Sequence, residues 1–111
     1  MKKINENDFE YRNGDSGPKY LLRGPKIDCG LIIIKPGTKM GPHGHNSTEE
    51  TFYFLKGVGN MIVNDTPFPA KEGDVFYIKP KEKHDMENTG SEDMKILFIK
   101  APYLPDDKIT Y

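Results

Sequence analysis

The sequence predicts an all-β chain folded as a sandwich or barrel, and three observations carry that prediction. Turn signals recur at short, fairly regular intervals: Asn13-Gly14, Gly17-Pro18, Gly24-Pro25, Pro36-Gly37, Gly41-Pro42, Asn64-Asp65, Gly73-Asp74, Asn88-Thr89-Gly90 and Ala101-Pro102. The segments between them are short and rich in Ile, Val, Phe and Tyr, the side chains that suit a pleated surface. No window of a dozen residues combines freedom from turn formers with a helical apolar stripe.

Taken in order, the first expected strand is a short one near Phe9–Arg12, followed by Tyr20–Arg23 between two Gly-Pro turns. Ile27–Lys35 comes next, closed by Pro36-Gly37, and then a short piece at Lys39–Gly41. Thr51–Lys56 and Asn60–Val63 flank Gly57, and a short strand is expected at Phe68–Ala70. Val75–Ile78 follows Gly73-Asp74, His84–Asn88 follows the turn-rich Lys79-Pro80-Lys81-Glu82-Lys83, and Met94–Lys100 ends at Ala101-Pro102. The first dozen residues and the Pro-rich tail after Pro102 are expected to lie over the barrel. In Leu31-Ile32-Ile33-Ile34 both parities are apolar, so both faces call for burial. A second subunit is the simplest cover and predicts a homodimer; N-terminal strands of the same chain are the alternative.

With 111 residues the chain is long enough for one domain. Its net charge is −1 with both signs scattered, which argues against nucleic acid or an anionic membrane surface as a partner. The longest apolar run, Gly30–Ile34, is far too short to span a bilayer. A lone Cys29 forms no internal disulfide, and with no secretory leader in view a reducing, cytoplasmic setting is expected. Cys29 itself reads as a small buried residue.

The chemistry concentrates in Pro42-His43-Gly44-His45-Asn46-Ser47-Thr48-Glu49-Glu50. On an extended segment His43 and His45 share a face, so both imidazoles reach one ion. Glu50 follows closely, and His84, the third histidine, opens a later strand. Three imidazoles and a carboxylate suit a borderline divalent ion: Zn, Mn, Fe, Ni or Cu.

The spacing is more telling than the residue types. Gly37, five residues, His43-x-His45, four residues, Glu50, six residues and Gly57 closely resemble the first motif of the cupin family. Gly73, His84 and Asn88 match its second motif, with Lys79 and Lys81 standing where that motif has Pro and Gly. The resemblance spans 37–57 and 73–88. It implies a jelly-roll β-barrel of two antiparallel sheets with little or no helix, its core at about residues 18–101 of a single domain 1–111. It also implies a metal inside the barrel on His43, His45, Glu50 and His84, and it selects Glu50 over Glu49, because only Glu50 keeps the six-residue count to Gly57. Strand alternation agrees, turning Glu49 outward.

Cupins include isomerases, dioxygenases, decarboxylases and lyases, so the resemblance implies a small-molecule ligand without choosing a reaction. A metal-dependent enzyme, a non-catalytic module for a sugar or organic acid, and a purely structural ion all remain open. With every histidine used as a ligand, a proton carrier must come from elsewhere; Glu49, Tyr53, Tyr77 and Asp85 are nearest in sequence, though alternation turns Glu49, Tyr53 and Asp85 away. The same alternation points Phe52, Phe54, Met86 and Asn88 inward and predicts a largely apolar pocket. The lysines of 79–83 read as a solvated loop rather than an anion-steering patch.

Overall fold

The computed structural model describes all of residues 1–111. It contains ten strands: β1 (Gly17–Arg23), β2 (Asp28–Ile34), β3 (His43–Gly44), β4 (Glu49–Lys56), β5 (Val58–Val63), β6 (Thr66–Lys71), β7 (Val75–Ile78), β8 (His84–Asn88), β9 (Met94–Ala101) and β10 (Ile109–Thr110). They form two five-stranded antiparallel sheets, ordered β1-β2-β9-β4-β7 and β10-β3-β8-β5-β6. The only helix is a three-residue 3-10 turn at Glu6–Asp8. No helix is long and apolar enough to cross a membrane.

All seven longer strands expected from sequence are present, within three residues at each end. Two short ones are not. Phe9–Arg12 contributes only the bridge Tyr11–Gly14, and Lys39–Gly41 only the bridge Lys39–Glu87, because neither segment has a continuous partner edge. The strand expected near Phe68 runs over Thr66–Lys71, and β10, in the tail, was not foreseen.

The two sheets close on one apolar core. Ile32 and Ile34 from β2, Phe52 and Phe54 from β4, Met61 from β5, and Met94, Ile96 and Phe98 from β9 meet there with Met86 of β8. Alternation along β4 follows the two-residue period: Glu50, Phe52 and Phe54 are buried while Glu49 and Tyr53 are exposed. Gly57, between β4 and β5, holds φ +92°, and a Cβ there would stand 2.8 Å from Met94 Cγ. At Gly90 the constraint is space rather than a left-handed backbone, since a Cβ would stand 2.8 Å from Val58 Cγ2.

The outer face of β2 is covered within the chain at one point. Leu31, opposite Lys19 of β1, is buried. Lys19 Nζ donates to the Glu6 carbonyl at 2.9 Å and lies over the Tyr11 ring, and Lys95 Nζ donates to Glu6 Oε1 at 3.0 Å. The N-terminal segment is thereby strapped across this face, without forming the strand expected there. Farther along the same sheet, Tyr53, Leu55, Val75, Tyr77 and Ile99 stay exposed. Cys29 is half-buried on this face, and burial pushes its thiol pKa up, against a reactive thiolate.

Candidate metal centre

Four side chains from distant parts of the sequence meet at one end of the barrel. His43 lies on β3, His45 one residue beyond it, Glu50 at the start of β4 and His84 at the start of β8. Pairing of His43 directly opposite His84 brings the two motifs together. All four residues are buried, and their ligating atoms lie within 4.8 Å of one another.

The backbone fixes how the rings present themselves. His43 Nδ1 stands 3.1 Å from the Gly41 carbonyl, His84 Nδ1 3.0 Å from the Glu82 carbonyl, and His45 Nδ1 2.5 Å from the Asp107 carbonyl. A carbonyl only accepts, so each Nδ1 carries a proton and donates it. Each neutral ring therefore keeps its lone pair on Nε2. Two of these nitrogens, on His45 and His84, face Glu50 Oε1 at 3.1 Å.

Lone pair against carboxylate is repulsive unless a second ring proton or a cation stands between. Ligand atoms held at about 2.1 Å from one ion, at tetrahedral to right angles, are roughly 3.0–3.4 Å apart. The two 3.1 Å spacings from His45 and His84 to Glu50 meet that requirement, and the carbonyl support on every Nδ1 is an arrangement that orients metal-bound imidazoles. The residues present suit a divalent ion.

The electrostatics agree. Burial, with help from neighbouring His84, pushes His43 down to about 4, so that ring is neutral at pH 7. Burial acts to raise Glu50, but hydrogen bonds from His45 and His84, made when a second ring proton rather than a cation stands between, outweigh it and hold the carboxyl at about 2. Burial likewise opposes the charged form of His45, and contact with Glu50 and the Asp107 carbonyl reverses the balance, leaving its pKa raised.

Glu49 is excluded from the cluster. It is exposed, and Tyr77 Oη donates to its Oε2 at 2.6 Å. Asp85 is buried but accepts from the Gly41 and Met86 N–H groups at 2.8 and 2.7 Å, which fixes the turn before His43. Tyr53 faces solvent. None of the proton carriers suggested by sequence proximity reaches the cluster. Asn88 binds the Ile34 and Glu92 carbonyls and accepts from Gly90 N–H, the turn-fixing role expected of it. Lys81, standing where the motif has Gly, takes φ +70° and donates its N–H to the His45 carbonyl at 2.6 Å. The turn survives the substitution, with the lysine in a glycine-like conformation.

The expectation of an apolar pocket needs correction. Phe52, Phe54 and Met86 do point inward, but they pack as the closed floor beneath the site. The cleft at His43, His45 and Glu50 is mixed: Arg12, Tyr20, Lys100 and Lys108 share its wall with Pro18, Ile32, Met40 and Phe98. Strand parity sees only neighbours on one strand, whereas these residues arrive from both ends of the chain. Asp107 was missed for the same reason. Its carboxylate accepts from the N–H groups of Asn46, Ser47 and Thr48 at 2.8, 2.8 and 2.9 Å, clamping the loop between His45 and Glu50. β10 then pairs with β3 beside His43. Nothing in the motif spacing points to a partner so far along the chain.

Residues 30–100 match the family model of the Cupin domain, Cupin_2. The chain is 37% identical over 82 residues to an uncharacterized protein of Methanocaldococcus jannaschii, an alignment covering 74% of this chain and 66% of the relative. It is 36% identical over 66 residues to an oxalate-binding protein of Thermotoga maritima, covering 60% and 54% respectively. The chain thus spans about two thirds or less of these curated relatives. Among solved structures, a conserved Klebsiella pneumoniae protein with a double-stranded β-helix domain superposes with a TM-score of 0.85. That likeness covers 98% of this chain and 96% of the other at 19% identity, and shows the fold alone.

Proposed function

The chain belongs to the cupin family, and from that premise we propose that residues 1–111 act as one domain that holds a divalent transition-metal ion on His43, His45, Glu50 and His84 and binds a small polar molecule beside it. The observation that supports this reading most directly is the set of three imidazoles, each braced at Nδ1 by a backbone carbonyl, gathered with Glu50 so that their ligating atoms lie within 4.8 Å of one another. A bound ion would supply Lewis acidity, polarising a carbonyl or enediol oxygen of the ligand. The protein's own part is to orient the four donors and to keep water from the buried side, where Phe52 packs against the His84 ring.

Two readings of the consequence stand side by side. One is an isomerase- or dioxygenase-like metal enzyme. The other is a binding module without turnover, favoured by the outward placement or structural engagement of Glu49, Tyr53, Tyr77 and Asp85. The oxalate-binding relative adds a small organic acid to the ligands this module would take. The exposed apolar stripe of Tyr53, Val75, Tyr77 and Ile99 supports pairing of two copies through that sheet, and the single unpaired Cys29 suits a cytoplasmic setting.

The decisive experiment is elemental analysis of the purified protein. About one transition-metal ion per chain is expected, falling below about a tenth of that in His43→Ala, His45→Ala and His84→Ala, since each removes a ligand. Unchanged metal content in all three variants would sink the reading.

A further inference from the structure

The entrance to the site carries positive charge that a metal centre alone does not require. Three clefts of about 400, 200 and 50 Å3 converge there, and Arg12 and Lys108 line all of them. The smallest touches His43, His45 and Glu50, with Tyr20 and Lys100 in its wall. The largest reaches His43 and adds Lys35 and Lys39 to its lining, with no carboxylate.

These cations lack counterions where it matters. Lys100 stands opposite Glu50 on one side and Asp28 on the other in the sheet register. It nonetheless pairs with neither; its half-buried Nζ donates to Tyr20 Oη at 2.6 Å. Lys35 and Lys39 are paired with Asp93 and Glu87, whereas Arg12, Lys100 and Lys108 take part in no ion pair. Each carboxylate lining the inner two clefts is already engaged. Asp28 faces Arg23 at 3.5 Å, Asp107 caps the loop N–H groups, and Glu50 faces His45 and His84.

A chain of net charge −1 has thus gathered three unpaired cations around one small cleft. A neutral ligand entering it would leave the Lys100 ammonium further desolvated with only Glu50, already engaged by His45 and His84, as an opposite charge nearby, which is costly. An anion removes that cost; the planar guanidinium of Arg12 suits a carboxylate or a phosphate, and the innermost cleft of about 50 Å3 favours the flatter, smaller carboxylate. The innermost space admits only a few non-hydrogen atoms.

We propose that the ligand is a small anion carrying one or two carboxylates, held by Lys100 and Tyr20 beside the four ligating residues and drawn in by Arg12 and Lys108. The proposal rests on the reading of this barrel mouth as the ligand site.

Titration calorimetry of the metal-loaded protein tests it, with pyruvate and malonate as probes and malonamide as the uncharged match for malonate. Inorganic phosphate serves as the competing anion. At least one carboxylate is expected to bind at least about tenfold tighter than malonamide, with affinity falling as salt rises. Lys100→Met is expected to lose about tenfold and Lys100→Arg to recover part of it. The double variant Arg12→Gln/Lys108→Gln, altered only at exposed positions, is expected to lose several-fold, all with metal content unchanged. Equal binding of malonamide and the carboxylates, tighter binding of phosphate than of either carboxylate, or full affinity in both Lys100→Met and the double variant would overturn the proposal. Metal content in the same samples separates the two readings. Metal present without discrimination defeats the anion inference alone, and discrimination without metal defeats the metal centre alone.

Discussion

Replacing Asp107 by Asn should loosen the loop that carries His45, and its size follows from the geometry. The carboxylate accepts three backbone N–H bonds of 2.8–2.9 Å. Burial acts to raise its pKa, but the bonds from Ser47, Asn46 and Thr48 prevail and hold it at about 2, against an ordinary value near 3.8. A difference of that size corresponds to at most about 2.4 kcal/mol of folding free energy, and solvent screening at the barrel rim reduces it to about 1 kcal/mol. The folded pKa is depressed, so the stabilisation is fully present above the unfolded value and disappears as pH falls through the folded one. By pH 3 half of it or less should remain. Urea denaturation of the metal-free proteins measures this directly. At pH 7 the variant should unfold about 1 kcal/mol more easily, and the gap should narrow to half or less at pH 3. Metal affinity of the variant at pH 7 should also fall, by about tenfold, because the loop joining His45 to Glu50, two of the ligands proposed above, loses its support. A gap that is absent at pH 7, or that stays constant down to pH 3, would refute the clamp.

Lys81→Gly should stabilise the protein. Relief of a left-handed lysine is worth about 1–2 kcal/mol and the added freedom of the unfolded chain costs about 0.5–1, leaving a melting temperature raised by about 3 °C in calorimetry. Asn88→Ala removes a side chain that bonds the Ile34 and Glu92 carbonyls and the Gly90 N–H from a buried position. A loss of about 3 kcal/mol is expected in urea unfolding, and a loss below about 1 kcal/mol would show that the turn holds without it.

Much of this molecule is legible one strand at a time. Phe52 and Phe54 follow from two-residue alternation once Glu50 is known to face inward, and the count from Glu50 to Gly57 separates it from Glu49. His84 falls to the same counting despite the changes at Lys79 and Lys81, because the number of residues fixes the reach of the chain while residue type tunes only the turn. What lies off the motifs is illegible by these means. Lys100 reads as the polar end of an apolar strand, Arg12 as part of a polar N-terminal stretch, and Asp107 as tail. Their convergence depends on β9 lying beside β4 and on β10 pairing with β3, long-range choices that no local period records. The strap of Glu6 across Lys19 and Lys95 is hidden for the same reason, so the double burial of Leu31–Ile34 pointed to a partner where the chain supplies part of the cover itself.

The three histidines lean on peptide oxygens rather than on side chains, and this shapes what mutagenesis would reveal. An alanine scan at Gly41, Glu82 and Asp107 leaves every one of those oxygens in place, so the scan would register lost loop contacts and overlook the acceptors that set each ring's tautomer. Only chemistry on the main chain itself, such as exchanging one of these amides for an ester to weaken its carbonyl, would expose them. The same immunity means that the acceptors themselves survive a change of side chain: Glu82 can vary while the His84 ring keeps its aim, whereas Gly41 is held by its left-handed backbone and Asp107 by its loop clamp.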